Sequence, residues 1–358
     1  METPIKIGLP VMMHYEKEVQ AFLAAKERIE SGLANKLGLN FDVGVFLYFT
    51  ANALNENNRK KQLENQKKYK LPILHCQTPI QREHSICIET KDAAKNGCLL
   101  ETAIEQCAEL KNYDRTNIQT AVDTHTGIVV FDDYKPTDDF PGVFSLKTFC
   151  QKKAELLKKS RNRFYDLAIK AMKYGLDFVL ENSLPVVLEL DRADANQAPR
   201  LHYLPFSDLK SLLDISDKSI TLDIAHLIGG QYAPTQFDAN GVDKKTLFET
   251  ENVHNSEEYL AHHPQYTQYL AHAKILHLSN TQGIGVRLEK YPELEKKWGG
   301  WGTEGGLLDA KDLRKMFAYA HLNGLPVMIE VDYDIKKIPE KKFSEADDFI
   351  KFIFEDVK

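Results

Sequence analysis

The chain has 358 residues, enough for two average domains or for one large α/β barrel. A hydrophobic content of 43% and a charged content of 27% are typical of a globular protein with a sizeable core. The net charge of -6 argues against a nucleic-acid partner, since proteins that bind the phosphate backbone usually carry a basic excess.

Eight short apolar segments recur along the chain, separated by segments with helical periodicity. Strands that alternate with helices pair in parallel through helical crossovers. Eight such units predict a single (β/α)8 TIM barrel over residues 1–358, with a doubly wound open sheet as the alternative. The predicted strands are residues 5–11, 41–49, 71–76, 119–125, 177–181, 220–226, 275–278 and 327–331, and the clearest helices are residues 16–36, 92–110, 145–174 and 309–322.

Two segments are too long for simple connections between a strand and a helix. Residues 227–255 contain Gly229, Gly230 and Pro234, and residues 280–306 are rich in glycine and hold both tryptophans. Because loops that follow barrel strands lie on the face where substrates bind, we expect extended loops after strands 6 and 7 that wall the pocket.

Acidic and imidazole side chains end four of the predicted strands. They are Glu181, Asp223, His226, His277 and Glu330. The carboxyl ends of parallel barrel strands meet at one mouth, so these side chains should converge there. Such a set can bind a divalent metal ion and leave carboxylates for proton transfer, and its mixed nitrogen and oxygen donors suit Mn, Zn, Co or Fe better than Mg.

Further histidines occur at the ends of other strands. His75 and His125 end the third and fourth strands and could be extra metal ligands, substrate contacts or core residues. The remaining histidines in polar or helical segments are expected at the surface; they are His254, His262, His263 and His272.

Short motifs in a fixed order resemble the xylose-isomerase-like TIM-barrel superfamily. The superfamily includes sugar isomerases and epimerases, hydroxypyruvate isomerase, inosose dehydratase and the endonuclease IV family. The motifs are LEN at 180–182, LDIAH at 222–226, HLSN at 277–280, GTEGGLLD at 302–309 and IEV at 329–331.

This resemblance implies roles for individual residues. It implies that His226 touches the substrate, that Arg287 after the seventh strand contacts it too, and that His75 and His125 hold a second ion, as in the endonuclease IV branch. The four implied ligands of one divalent ion are Glu181, Asp223, His277 and Glu330.

The chain also departs from the superfamily pattern. The endonuclease branch has an Asp-x-His pair after the seventh strand, whereas residues 295–306 read EKKWGGWGTEGG and contain no histidine. Asn280 replaces an aspartate that is common after that strand. A third metal ion is therefore not expected.

The leading functional hypothesis is a metal-dependent isomerase or epimerase of a small sugar, keto-sugar or polyol. Glu181 and Glu330 would exchange a proton with an enediolate, and His226 would position a substrate oxygen. A sugar or inosose dehydratase could use the same site. The alternatives are a zinc phosphodiesterase like endonuclease IV, acting on abasic DNA, and a protein without enzymatic activity on the same fold.

The cysteines and the termini bear on the cellular compartment. The five cysteines have irregular spacing and form no CxxC motif, which is typical of a reducing compartment. No signal peptide is predicted, and no apolar run reaches the ~18 residues that a membrane span needs. We therefore expect a cytoplasmic protein that does not bind membranes; its oligomeric state cannot be read from the sequence.

Overall fold

The computed structural model describes most of the chain. The described residues are 4–78, 93–116, 118–126, 130–131, 143–144, 146–183, 186–189, 200–203, 206–240, 244–281, 286–287, 301–302, 307–330 and 339–354.

Eight parallel strands close into a barrel, each paired with its neighbour in the chain. The ring closes where Ile7 lies opposite Val327, so neither the first nor the last strand has a free edge. This closure confirms the predicted (β/α)8 barrel and excludes the open sheet. The strands are β1 Ile5–Val11, β2 Phe41–Tyr48, β3 Ile73–Gln77, β4 Ala121–Thr124, β5 Asp177–Glu181, β6 Ile220–Asp223, β7 Ala273–Leu278 and β8 Val327–Ile329.

Helices surround the barrel and bury its outer surface. Several of them are capped at the N-terminus by a residue whose side chain accepts a hydrogen bond from a backbone N–H of the first turn. Examples are Asn55, Asp208 and Asp309. The helices are α1 Glu16–Glu27, α2 Ala34–Leu37, α3 Glu56–Tyr69, α4 Ala93–Lys111, α5 Leu146–Lys173, α6 Leu209–Ser216, α7 Ile224–Asn240, α8 Lys245–Glu251, α9 Ser256–His262, α10 Tyr266–Leu270, α11 Ala310–Leu322 and α12 Pro339–Phe354, with a π-helical segment, Arg28–Leu33, between α1 and α2.

The barrel interior is filled by apolar side chains below the mouth. These side chains are Phe46, Leu74, Ala121, Val179, Ile275 and Met328. Gly8 makes room for one of them, since a β-carbon at Gly8 would lie 2.0 Å from Sδ of Met328. The packed interior forms a floor on which the polar residues at the strand ends rest.

The first of the two long segments is largely helical, so the loop predicted for residues 227–255 is wrong in that respect. Helix α7 runs through Gly229, Gly230 and Pro234, and α8 follows it. Leu227, Ala233 and Phe237 are buried. Burial of this apolar face outweighs the cost of glycine and proline within a helix. The extension after the sixth strand is therefore present, but as helices.

The second long segment contributes short strands outside the barrel. Asn280–Thr281 pairs antiparallel with Trp301–Gly302. Val286–Arg287 pairs in parallel with Val186–Glu189, which also pairs with Arg200–Tyr203. The rest of residues 280–306 lies outside the described part of the chain.

Among the described residues, no helix combines the length and the apolar character that crossing a membrane requires. Cys76, Cys107 and Cys150 are free thiols.

The prediction that His263 is exposed is wrong. The residue is only 3% exposed, because its ring packs on Tyr259 beside the buried carboxylate of Glu251.

Candidate metal centre

Four side chains from four strand ends converge at the mouth of the barrel. Each offers one donor atom, and these atoms all lie within 4.8 Å of one another. Glu181 is the last residue of β5, Asp223 is the last residue of β6, His277 lies opposite Asp223 on β7, and Glu330 directly follows β8. We call Glu181, Asp223, His277 and Glu330 the mouth cluster.

His277 is at the centre of the mouth cluster. Its Nδ1 lies 3.2 Å from Oε1 of Glu181 and 3.2 Å from Oε1 of Glu330. Glu181, Asp223 and His277 are fully buried, whereas the Glu330 side chain is 15% exposed. The cluster is therefore closed from below and reached from the side of Glu330.

Several donor atoms of the mouth cluster lie close to a charged neighbour but make no well-aligned hydrogen bond. Within the described part of the chain, these buried atoms are Oε1 of Glu181, Oδ2 of Asp223 and Nδ1 of His277, each 3.1–3.2 Å from an imidazole or a carboxylate. Buried polar atoms of this kind are costly unless another group satisfies them. Three carboxylates and one imidazole at these spacings fit a divalent cation.

Excess negative charge perturbs the ionisation of the cluster. Burial, reinforced by the charges of Glu330 and Glu181, raises the pKa of Asp223 well above its usual value. Burial opposes protonation of His277, but the charge of Glu181 and the contact with Glu330 outweigh it and raise the pKa of His277 well above its usual value. The site therefore favours positive charge, whether a proton or a metal ion.

His226 lies beside the cluster in the first turn of α7. Its Nδ1 is 2.9 Å from the carbonyl oxygen of Asn182 and 3.1 Å from Oδ2 of Asp223. Because a carbonyl oxygen only accepts hydrogen bonds, Nδ1 carries the proton. The side chain is 16% exposed, a position suited to contact with a ligand above the mouth cluster.

Asn182 fixes the backbone of Asp223. Its side-chain amide donates to the carbonyl of Asp223 at 2.9 Å and accepts the N–H of Asp223 at 2.7 Å. The N–H of His226 donates to Oδ1 of Asp223 at 2.8 Å, which orients the carboxylate. Asn182 was not singled out from the sequence, although it follows Glu181 in the LEN motif.

His75 and His125 both lie at the mouth but contact different carboxylates. Nε2 of His75 is 3.0 Å from Oδ2 of Asp123, whereas Nε2 of His125 is 3.1 Å from Oε2 of Glu181. Nδ1 of His125 is 2.8 Å from Oγ of Ser183. Burial opposes protonation of His125, but the charge of Glu181 outweighs it and raises the His125 pKa.

Asp123 and Gln77 are further buried residues that were not predicted from the sequence. Asp123 is on β4, and Gln77 is the last residue of β3. The side-chain amide of Gln77 donates a hydrogen bond to Oε2 of Glu181, at 2.5 Å. Side chains two apart on a strand face the same way. Since Asp123 precedes His125 by two residues and Gln77 follows His75 by two, strand alternation could have identified both.

Arg287 stays a prediction from the sequence. Its backbone belongs to the short strand that pairs with Val186–Glu189, outside the barrel. Its side chain is outside the described set, so no contact with the mouth cluster is assigned to it.

No protein-family model and no curated protein matches the sequence. Solved structures do match it over nearly its whole length. A D-tagatose 3-epimerase-like protein shares 15% identity at a TM-score of 0.49, covering 99% of this chain and 100% of its own. A xylose isomerase domain protein from Planctomyces limnophilus shares 13% identity at 0.48, covering 99% and 98%.

A third structure, the apo form of 3-keto-D-glucoside 4-epimerase from E. coli, shares 13% identity at a TM-score of 0.47 and covers 97% of this chain and 99% of its own. Each TM-score is below 0.5, so the barrel assignment rests on the strand pairing of this chain and not on these similarities. Fold and site together define a (β/α)8 barrel with a cluster of carboxylates and imidazoles at its mouth.

Proposed function

We propose that the chain is a divalent-metal-dependent isomerase or epimerase of a small sugar, keto-sugar or polyol. The mouth cluster carries this proposal, because it combines a donor set for one cation with two glutamates next to the same imidazole nitrogen. Its nitrogen and oxygen donors favour Mn, Zn, Co or Fe over Mg. When bound, such an ion polarises a carbonyl and acidifies the adjacent C–H.

The two glutamates are suited to move the proton. Burial opposes the ionisation of Glu181, but the charges of His125 and His277 outweigh it and hold the pKa of Glu181 well below its usual value. Burial likewise opposes the ionisation of Glu330, and the contact with His277 outweighs it and lowers the Glu330 pKa. Both side chains are therefore carboxylates near neutral pH, the form that accepts a proton.

The positions of the glutamates support a division of labour. Glu181 ends β5 and Glu330 follows β8, so they approach His277 from strands on either side of β6 and β7. One carboxylate would remove the proton from carbon, leaving the electron pair in an enediolate. The other, a carboxylate at rest, would first take up a proton from solvent and then return it to the adjacent carbon or to the opposite face. His226 would hydrogen-bond a substrate oxygen.

Exchange of substrate hydrogen with solvent tests this proposal. The protein, loaded in turn with Mn²⁺, Zn²⁺ and Co²⁺, is incubated with a panel of keto-sugars and polyols in deuterated water. We expect deuterium at the carbon next to the carbonyl of at least one substrate, and no incorporation with Glu181→Gln or Glu330→Gln. Absence of deuterium across the whole panel would overturn the proposal.

A dehydratase would use the same proton abstraction. It is distinguished by its product, which lacks one molecule of water relative to the substrate. The phosphodiesterase alternative has less support, since His75 and His125 contact different carboxylates, Asp123 and Glu181. Cleavage of an abasic DNA duplex by the metal-loaded protein would revive it. A cytoplasmic location and the small carbohydrate partner remain part of this proposal.

A further inference from the structure

Gln77 is a buried amide at the mouth of the barrel that the proposed proton transfer does not use. It is the last residue of β3 and is 1% exposed. Its side-chain Nε2 donates a hydrogen bond to Oε2 of Glu181 at 2.5 Å. A hydrogen bond from a buried amide to a buried carboxylate is among the stronger polar contacts in a protein, so it constrains both side chains.

This hydrogen bond crosses one strand of the barrel. Gln77 lies opposite Asp123 on β4, and Asp123 lies opposite Val179 on β5. Glu181 is two residues beyond Val179, so its side chain faces the same way and lies nearer the mouth. The Gln77 side chain therefore leans across β4 to reach it. An amide shorter by one methylene would fall short by about 1.5 Å, the length of one C–C bond, and would lose the hydrogen bond.

The orientation of the Gln77 amide follows from its partner. A carboxylate oxygen only accepts hydrogen bonds, so the nitrogen of the amide and not its oxygen faces Glu181. An amide also keeps its N–H donors at every pH, whereas the donor of an imidazole depends on its tautomer. Nε2 of His125 lies 3.1 Å from the same oxygen. Oε2 of Glu181 is therefore held between two nitrogen atoms of the protein.

The other oxygen of Glu181 has a different environment. Oε1 lies 3.2 Å from Nδ1 of His277 and makes no well-aligned hydrogen bond to any described residue. Asp223 shows the same division. Its Oδ1 accepts the N–H of His226 at 2.8 Å, whereas its Oδ2 is the oxygen without a well-aligned hydrogen bond to the described residues. In both fully buried carboxylates of the mouth cluster, the protein holds one oxygen and leaves the other for a cation.

We propose that Gln77 is a positioning residue for Glu181. By holding Oε2, its amide directs Oε1 alone toward the cation, so that Glu181 occupies one coordination position instead of two. A carboxylate that binds through one oxygen leaves a position free for a substrate oxygen. The effect of Gln77 on turnover rests on the proposed function, whereas its effect on the cation is measured without a substrate.

The visible absorption of Co²⁺ bound to the full-length protein tests this role. The absorption bands of Co²⁺ weaken as its coordination number rises, so they report whether Glu181 binds through one oxygen or two. Gln77→Met keeps an unbranched side chain of similar length but cannot donate a hydrogen bond. We expect weaker bands in this variant, and Co²⁺ binding weakened by roughly 10–100-fold, the usual cost of losing a residue that supports a ligand.

Gln62→Met is the matched control. Gln62 is a buried glutamine on α3, 2% exposed, and its Nε2 donates to the carbonyl oxygen of Ala53 at 2.8 Å. This variant also loses a buried amide donor and should lower the melting temperature, but its Co²⁺ spectrum and affinity should equal those of the wild type. Gln77→Asn keeps an amide that is too short to reach Glu181. It should change the spectrum as Gln77→Met does, and it replaces that variant if Gln77→Met does not fold.

Wild-type bands in a folded Gln77 variant would overturn the positioning role, and so would an equal change in Gln62→Met or a wild type that binds no Co²⁺. In the deuterium assay, the Gln77 variants should lower kcat by roughly 10–100-fold and change KM less. A changed spectrum together with no deuterium exchange in the wild type would keep the role of Gln77 and sink the isomerase proposal. Exchange in the wild type with unchanged spectra in the variants would do the reverse.

Discussion

Two groups of acidic side chains and histidines, each built around buried carboxylates, have opposite charge balances in this molecule. In the mouth cluster, three carboxylates share one imidazole, and His125 and His226 contact two of them from outside the cluster. In the outer cluster, which we define as Glu251, His262 and His263, two imidazoles flank one carboxylate. Oε2 of Glu251 is 3.6 Å from Nδ1 of His262, and Oε1 is 3.8 Å from Nε2 of His263.

The pKa values of Glu251 and Asp223 shift in opposite directions, as this difference predicts, while those of Glu181 and Glu330 are lowered by their imidazole neighbours. In the outer cluster, burial opposes the ionisation of Glu251, but the contacts with His262 and His263 outweigh it and hold the Glu251 pKa far below its usual range. In the mouth cluster, burial and neighbouring carboxylates raise the pKa of Asp223. The charge of a buried carboxylate flanked by two imidazoles can be balanced within the protein, whereas an excess of carboxylates indicates a site for an external cation.

The largest effect is expected from removing a ligand of the mouth cluster. Asp223→Ala and His277→Ala should lose the metal ion and turnover together, with binding weakened by at least ~100-fold, the upper end of what loss of a supporting residue costs. Elemental analysis and the deuterium assay measure the two properties. Glu251→Gln, in the outer cluster, is the matched control and should keep both. Full activity in both mouth variants would place the site elsewhere.

Changing the glutamates to glutamine should separate chemistry from metal binding. Glu181→Gln and Glu330→Gln keep an oxygen donor but lose the proton acceptor. We expect kcat to fall by roughly 10²–10⁴-fold, the usual contribution of general acid–base catalysis. The amount of metal bound per chain should fall less in these two variants than in Asp223→Ala. If metal and kcat instead fall in proportion, the two residues act as ligands only.

In the outer cluster, the same kind of truncation should affect stability. Glu251→Ala leaves the buried ring of His263 without its carboxylate, and removing one partner of a buried pair costs ~3–5 kcal/mol. Denaturant unfolding measures this loss, while the folded fraction should keep its metal. Glu249→Ala, two residues away on the same helix and 46% exposed, should change stability by less than ~0.5 kcal/mol.

The outer cluster should also make stability depend on pH. The depressed pKa of Glu251 gives stability that is present above its ordinary value of 4.5 and lost as the pH falls. The contact with Glu251 raises the pKa of His262, which gives stability that is present below 6.5 and lost as the pH rises. The difference in unfolding free energy between wild type and Glu251→Gln should therefore be greatest between these values. A flat difference would contradict the ion pair.

Much of the barrel could be predicted from strand-like segments that end in an acidic residue or a histidine. The prediction of β5 as residues 177–181 matches the structure in both bounds, because the apolar run is short and closed by Gly175 before it and Glu181 at its end. The sixth strand was predicted to residue 226 but ends at Asp223, since helix α7 begins at once. Continuous apolar sequence does not mark where a strand becomes a helix.

Pairing between strands could not be predicted from the sequence. Which carboxylate faces His75 depends on the register of β3 against β4, where His75 lies opposite Ala121 and Gln77 opposite Asp123. That register is fixed only when the barrel closes. The burial of His263 likewise comes from packing of α9 against its neighbours, because its own helix is largely polar.

The smallest expected effect comes from the amide that supports Asp223. Asn182→Ala removes two hydrogen bonds to the backbone of Asp223 and should cost ~1–3 kcal/mol of stability. Gln66→Ala is a matched control, because the Gln66 amide makes the same pair of bonds to Leu71, at 2.9 Å to its carbonyl and 3.1 Å from its N–H. Both variants should lose similar stability in denaturant unfolding, but only Asn182→Ala should also weaken metal binding, by ~10–100-fold, because it frees a ligand. Equal metal affinity in the two would mean that His226 alone suffices to orient the Asp223 carboxylate.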